Sequence, residues 1–106
     1  MEKTNTILLN QIKKIIRERE PGAKIYFYGS RSRGEAKKDS DLDLLILLPS
    51  NSTTSIMEHA IAYSLFDLEF DHGVVISPMI YMEDDWNTKY KHTLIYKNIM
   101  REARLL

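Results

Sequence analysis

No cysteine occurs among the 106 residues, which excludes a disulfide, a thiolate metal site and a thiol nucleophile and suits a reducing, cytoplasmic setting. Net charge is absent too. Fifteen basic side chains balance fifteen acidic ones, so the basic excess of a non-specific nucleic-acid coat is missing. Apolar runs are short: the segment after Met1 to Asn5 is interrupted by Asn10, Gln11, Lys13 and Lys14, leaving neither a signal-peptide core nor a membrane span. The three histidines, His59, His72 and His92, lack ligand spacing, which argues against a zinc site. No repeat or low-complexity linker interrupts the chain. What is present is 43% apolar residues, enough for one compact core, so a single domain over residues 1–106 is expected.

The hydrophobic pattern predicts the elements. Leu8, Ile12, Ile15 and Ile16 recur at helical spacing, and Pro21-Gly22 ends that helix. Residues 24–28 are aromatic-rich and strand-like, with Tyr26 and Tyr28 read as strand packing rather than base-stacking platforms. Ser55 and Glu58 have capping-box spacing ahead of a helix marked by Met57, Ile61, Leu65 and Leu68, with Gly73 as its left-handed cap. Val74 to Tyr81 reads as a third strand, where Pro78 requires an edge or a bulge; that edge is also where a second copy of the chain would meet it. Met82 to Lys91 is polar, a short helix or a loop, and Ile95, Ile99 and Ala103 mark a last helix. The order α-β-(short helix)-β-α-β-α predicts a small α/β (α+β) fold, a sheet of about three strands flanked by helices.

Everything chemical concentrates between Tyr28 and Leu48, YGSRSRGEAKKDSDLDLLILL. Asp41 and Asp43 are two apart at the start of a strand, so they share a face while Leu42 and Leu44 point into the core. Two carboxylates on one face repel unless neutralised, and a hard divalent cation such as magnesium does this with oxygen ligands. An isolated Asp-x-Asp is more often a solvated turn that merely starts a strand. Gly29 directly after a strand lets the backbone approach a phosphate, and Ser30 could open a short helix whose free N–H groups bind an anion; alone, Gly29 simply turns the chain. Arg31, Arg33, Lys37 and Lys38 against Glu35 give this connection a local excess of three positive charges.

Together, Gly29-Ser30-x-x-Arg33-Gly34 and then Ser40-Asp41-Leu42-Asp43-Leu44 resemble the signature of the DNA polymerase beta-like nucleotidyltransferases, and more narrowly of their minimal (MNT) branch. The resemblance implies that Gly29 and Ser30 hold the phosphates of a nucleoside triphosphate, most simply ATP. It implies that Asp41 and Asp43 are catalytic and hold two magnesium ions, with Arg33 offsetting charge. The product would be a nucleoside monophosphate joined to an acceptor hydroxyl, with pyrophosphate released.

Two departures from that pattern matter. Members with full activity carry a third carboxylate on the strand beside Asp41 and Asp43; Ser77 stands roughly there. Asp67, Glu69 and Asp71 lie just upstream on a helix, and Asp71 substitutes only if the helix ends early and the strand begins sooner. A chain of this length is also not expected to include an acceptor domain. The resemblance implies a helical HEPN partner, with AMP transferred to a tyrosine of that ribonuclease in an antitoxin role. Neutralising the partner by contact alone, or transfer to a small molecule, are the alternatives. Trp86, Tyr90, Tyr96 and Leu105-Leu106 either form a docking surface or close the core.

Overall fold

The central strand of this protein faces two cores at once. A computed structural model describes residues 3–35, 40–49 and 54–106. The elements are α1 (Lys3–Arg19), β1 (Lys24–Tyr28), β2 (Leu42–Leu48), α2 (Thr54–His72), β3 (Ile76–Met82), α3 (Glu83–Thr88), α4 (Leu94–Glu102) and β4 (Arg104–Leu105). They build one four-stranded mixed sheet in the order β3-β2-β1-β4. β1 pairs antiparallel with β2 and β4, whereas β2 and β3, joined through α2, run parallel.

β2 reads LDLLILL because both its faces are covered along most of its length. Leu42, Leu44, Ile46 and Leu48 recur with period two on one face. They join a core with Leu8, Ile12 and Ile16 of α1 and Ile61, Leu65 and Leu68 of α2. Leu45 and Leu47 face the other way, onto Trp86 and Ile99. Gly73 closes α2 at φ +64°, where its own N–H and that of Val74 return to the Glu69 carbonyl.

The differences from the sequence reading have local causes. A fourth strand, β4, exists because Arg104 and Leu105 pair with Phe27 and Tyr26 at the open edge of β1. The last helix therefore stops at Glu102, and Ala103 is already extended. β3 begins at Ile76 rather than at Val74, and as an edge strand it accommodates Pro78 without a missing ladder bond to a further neighbour. Ser55 lies inside α2, which starts one residue earlier, so it does not cap the helix. The link from β1 to β2 begins as a hydrogen-bonded turn over Gly29 to Glu35 instead of a helix, because Gly34 takes φ +74°. Lys37, Lys38 and Asp39 lie outside the described residues.

Trp86, with Tyr90 and Tyr96 packed against it, closes the second core, whereas Leu105 is exposed. Trp86 is fully buried, stacked on Tyr81 at 5.1 Å between centroids and 5.0 Å from the Tyr96 ring. Trp86→Ala is expected to cost about 3–5 kcal/mol, a large share of the roughly 5–15 kcal/mol available to a small domain. Among the described residues the Trp86 Nε1 hydrogen has no acceptor, so Trp86→Phe should stay within about 1.5 kcal/mol of wild type. Urea unfolding of the two variants checks this; an Ala curve overlying wild type would mean that the second core adds nothing.

Candidate functional site

β1 ends at Tyr28, and Gly29 turns the chain at φ +86°, a region that favours glycine. The following turn is closed by the Arg33 N–H, which donates to the carbonyls of Gly29 and Ser30 at 3.2 Å each, and by the Glu35 N–H to Ser30 O at 3.0 Å. Arg31 Nε donates to the Ser40 carbonyl at 2.8 Å, joining the beginning of the connection to its end.

Three strands then set out one row of side chains. In the ladders Asp43 stands opposite Tyr28 on β1 and Ser77 on β3, so all three occupy the same face. Asp41, two residues earlier, accepts a hydrogen bond at Oδ2 from Ser77 Oγ at 2.9 Å. Ser77 therefore stands at the cross-strand position beside the pair, and it holds one of the two carboxylates. The Asp43 carboxylate lies so close to Gly29 Cα that a Cβ there would collide with it. Asp41, Asp43 and the Gly29 bend thus converge. Leu42 and Leu44, on the opposite face, are fully buried and fix that aim.

The electrostatics reflect this crowding. Burial, and then Asp41, push the Asp43 carboxyl above its ordinary range, while Arg33 opposes them. Burial, and then Asp43, raise the Tyr28 phenol to about 12, so it keeps its proton and donates to Met79 Sδ at 3.3 Å.

A residue that sequence reasoning missed closes the site. Glu102, at the end of α4, accepts from Arg33 Nη1 with both carboxylate oxygens, at 3.0 and 2.8 Å. Its Oε1 also accepts the Gly29 N–H at 3.2 Å. Arg33, and secondarily the Gly29 N–H, hold the Glu102 carboxyl below the usual glutamate range. Glu35, bonded to Arg33 Nε at 2.9 Å, and then Glu102 hold the guanidinium charged. One signal was available: a carboxylate in the last turn of a helix opposes the macrodipole and needs a cationic partner.

Asp71 is not brought to this site. It is exposed on the last turn of α2, because the helix continues to His72. Among the described residues no group of three His, Cys, Asp or Glu side chains is arranged to hold a metal ion. The carboxylate pair still fits one hard cation: two oxygen donors repel each other across a partly solvated space, which a divalent ion relieves.

The profile of the nucleotidyltransferase domain matches residues 9–106, nearly the whole chain. The chain belongs to the nucleotidyltransferase domain family. No curated protein and no solved structure is significantly similar to it. The match takes in the β1 turn, the carboxylate strand and α4, so every residue of the candidate site described above lies inside it. No helix among the described residues is long and apolar enough to cross a membrane.

Proposed function

We propose that this nucleotidyltransferase domain binds a magnesium–NTP complex, most simply ATP, and transfers the NMP group to an acceptor hydroxyl on a partner protein. One observation carries the reading: the Asp43 carboxylate packs directly against the Gly29 bend, so oxygens suited to a metal and a turn suited to a phosphate adjoin. Asp41 and Asp43 would hold the metal, Gly29 and Ser30 would receive the polyphosphate, and Arg33 would offset its charge. Magnesium, when bound, would neutralise the polyphosphate and lower the pKa of the acceptor hydroxyl. The side chains themselves position: Ser77 fixes Asp41, and β2 fixes the spacing of the carboxylate pair. In the transfer the acceptor oxygen bonds to the α-phosphorus, the bond to the bridging oxygen of pyrophosphate breaks, and the acceptor proton leaves to water.

A macromolecular acceptor is supported by α2. Tyr63, Phe66 and Phe70 are 80%, 64% and 84% exposed and share one side of the helix, and Val75 continues the patch beside the start of β2. α2 contains no Lys or Arg, so a partner with basic groups around an apolar helix face is complementary to it. A helical HEPN-type protein is the partner to try first. The second reading, nucleotide binding with neutralisation by contact, is favoured by one feature: Ser77 in place of a third carboxylate.

Calorimetry with ATP and magnesium on wild type and Asp41→Ala tests the binding half. Wild type should bind, and the variant should lose at least about tenfold in affinity. Equal heats from both proteins would remove the reading. Labelled ATP incubated with the domain and a co-expressed HEPN-type partner then separates transfer, which labels the partner, from contact alone, which does not.

A further inference from the structure

The groups best placed to receive a phosphate are already engaged by a carboxylate of the same chain. Arg33 Nη1 and the Gly29 N–H converge on Glu102, whose two oxygens take up both donors. Carboxylate and phosphate oxygens are interchangeable acceptors for a guanidinium and a backbone amide. Glu102 is delivered from a fixed place: it ends α4, and immediately after it β4 pairs with β1 and the Leu106 N–H bonds to Ile25 O at 2.8 Å. The pair is nevertheless partly solvated, with the Arg33 and Glu102 side chains 45% and 31% exposed, and an ion pair in that setting exchanges readily.

We propose that Glu102 is a resident anion of the phosphate cradle, which the polyphosphate of an incoming nucleotide displaces from Arg33 and Gly29. The proposal rests on the reading that this cradle receives nucleotide. It makes nucleotide affinity depend on how often Glu102 vacates the cradle, since the apparent dissociation constant is the intrinsic one divided by the vacant fraction. Departure of Glu102 frees Arg33 Nη1 for the ligand, while Nε stays with Glu35. Selection follows as well. A ligand with a single weak negative charge competes poorly with a tethered carboxylate, whereas a polyphosphate offers several oxygens to the same two donors.

The test uses Glu102→Gln, which keeps an oxygen for the Gly29 N–H but gives up the ionic hold on Arg33. Binding of inorganic tripolyphosphate, without metal, should tighten by about tenfold, the gain expected if the cradle is vacant in roughly one molecule of ten. Arg33→Ala in the Glu102→Gln background should abolish the gain. Glu102→Asp, one methylene shorter, should also tighten binding, and it carries the test if the glutamine variant does not fold. Unchanged or weaker tripolyphosphate binding in the folded variants would overturn the proposal and make Glu102 a brace for the turn. Magnesium–ATP on the same proteins separates the two ideas. Tripolyphosphate gain without any ATP binding would defeat the nucleotide reading and leave the resident anion standing.

Discussion

Asp43→Asn is expected to lower nucleotidyl transfer by on the order of 10³-fold or more while raising the thermal midpoint of the metal-free protein. Both effects arise from the same placement. Burial and the neighbouring Asp41 raise the Asp43 pKa in the folded chain, so the folded state binds this proton more tightly than the unfolded state does. The sign is opposite to that of a salt-bridged carboxylate. Stability falls as pH rises from the ordinary aspartate value through the raised one, and above that the full penalty applies. Asparagine has the same shape without the charge. Solvent still reaches the half-buried Asp43 and screens this penalty, so the rise in midpoint is small. Magnesium should then raise the wild-type midpoint and leave that of Asp43→Asn nearly unmoved. Scanning calorimetry at neutral pH with and without magnesium gives all four midpoints. A variant less stable than wild type without metal would show that the carboxylate is held by favourable contacts, against the repulsion argued here.

Gly29→Ala should fail on both counts. At φ +86° a side chain costs about 1–3 kcal/mol in backbone strain, and its Cβ would also collide with the Asp43 carboxylate. Relief requires the carboxylate to shift, and a misplacement of about 1 Å in a catalytic group can cost about 10²-fold in rate. The midpoint should fall by on the order of 10 °C. Gly34→Ala is the control: it shares a left-handed backbone, at φ +74°, but among the described residues beyond its chain neighbours no atom lies within 4 Å of the added carbon. Its stability loss should be smaller and its metal binding unchanged. Equal losses at the two glycines would mean that the Gly29–Asp43 contact has no effect beyond backbone conformation.

The short-range part of this site could be read from the chain, and the long-range part could not. Period-two alternation put Leu42 and Leu44 in the core and left Asp41 and Asp43 on the other face, as the packing of β2 shows. Gly73 as a left-handed cap and Pro78 on an edge strand follow from backbone chemistry alone. Glu102 was invisible because its bond to Gly29 spans 73 positions, and nothing local distinguishes it from other helical acids except its unfavourable end of α4. β4 was missed for a related reason. Two residues carry almost no strand propensity of their own, and only the open edge of β1 makes them extended. Trp86 was ambiguous because its neighbours Tyr81 and Tyr96 come from two other elements, which sequence spacing does not bring together.

The two-faced character of β2 has a consequence for folding fidelity. If its pairing slipped by a single residue, Asp43 would be driven among Leu8, Ile12 and Ile61, and a leucine would take its half-buried place. Stranding an ionised carboxylate in that oily layer is far costlier than misplacing one more aliphatic group. Asp43, proposed above for the chemistry, therefore also acts as a proofreading device for the sheet, rejecting misaligned pairings as the chain folds.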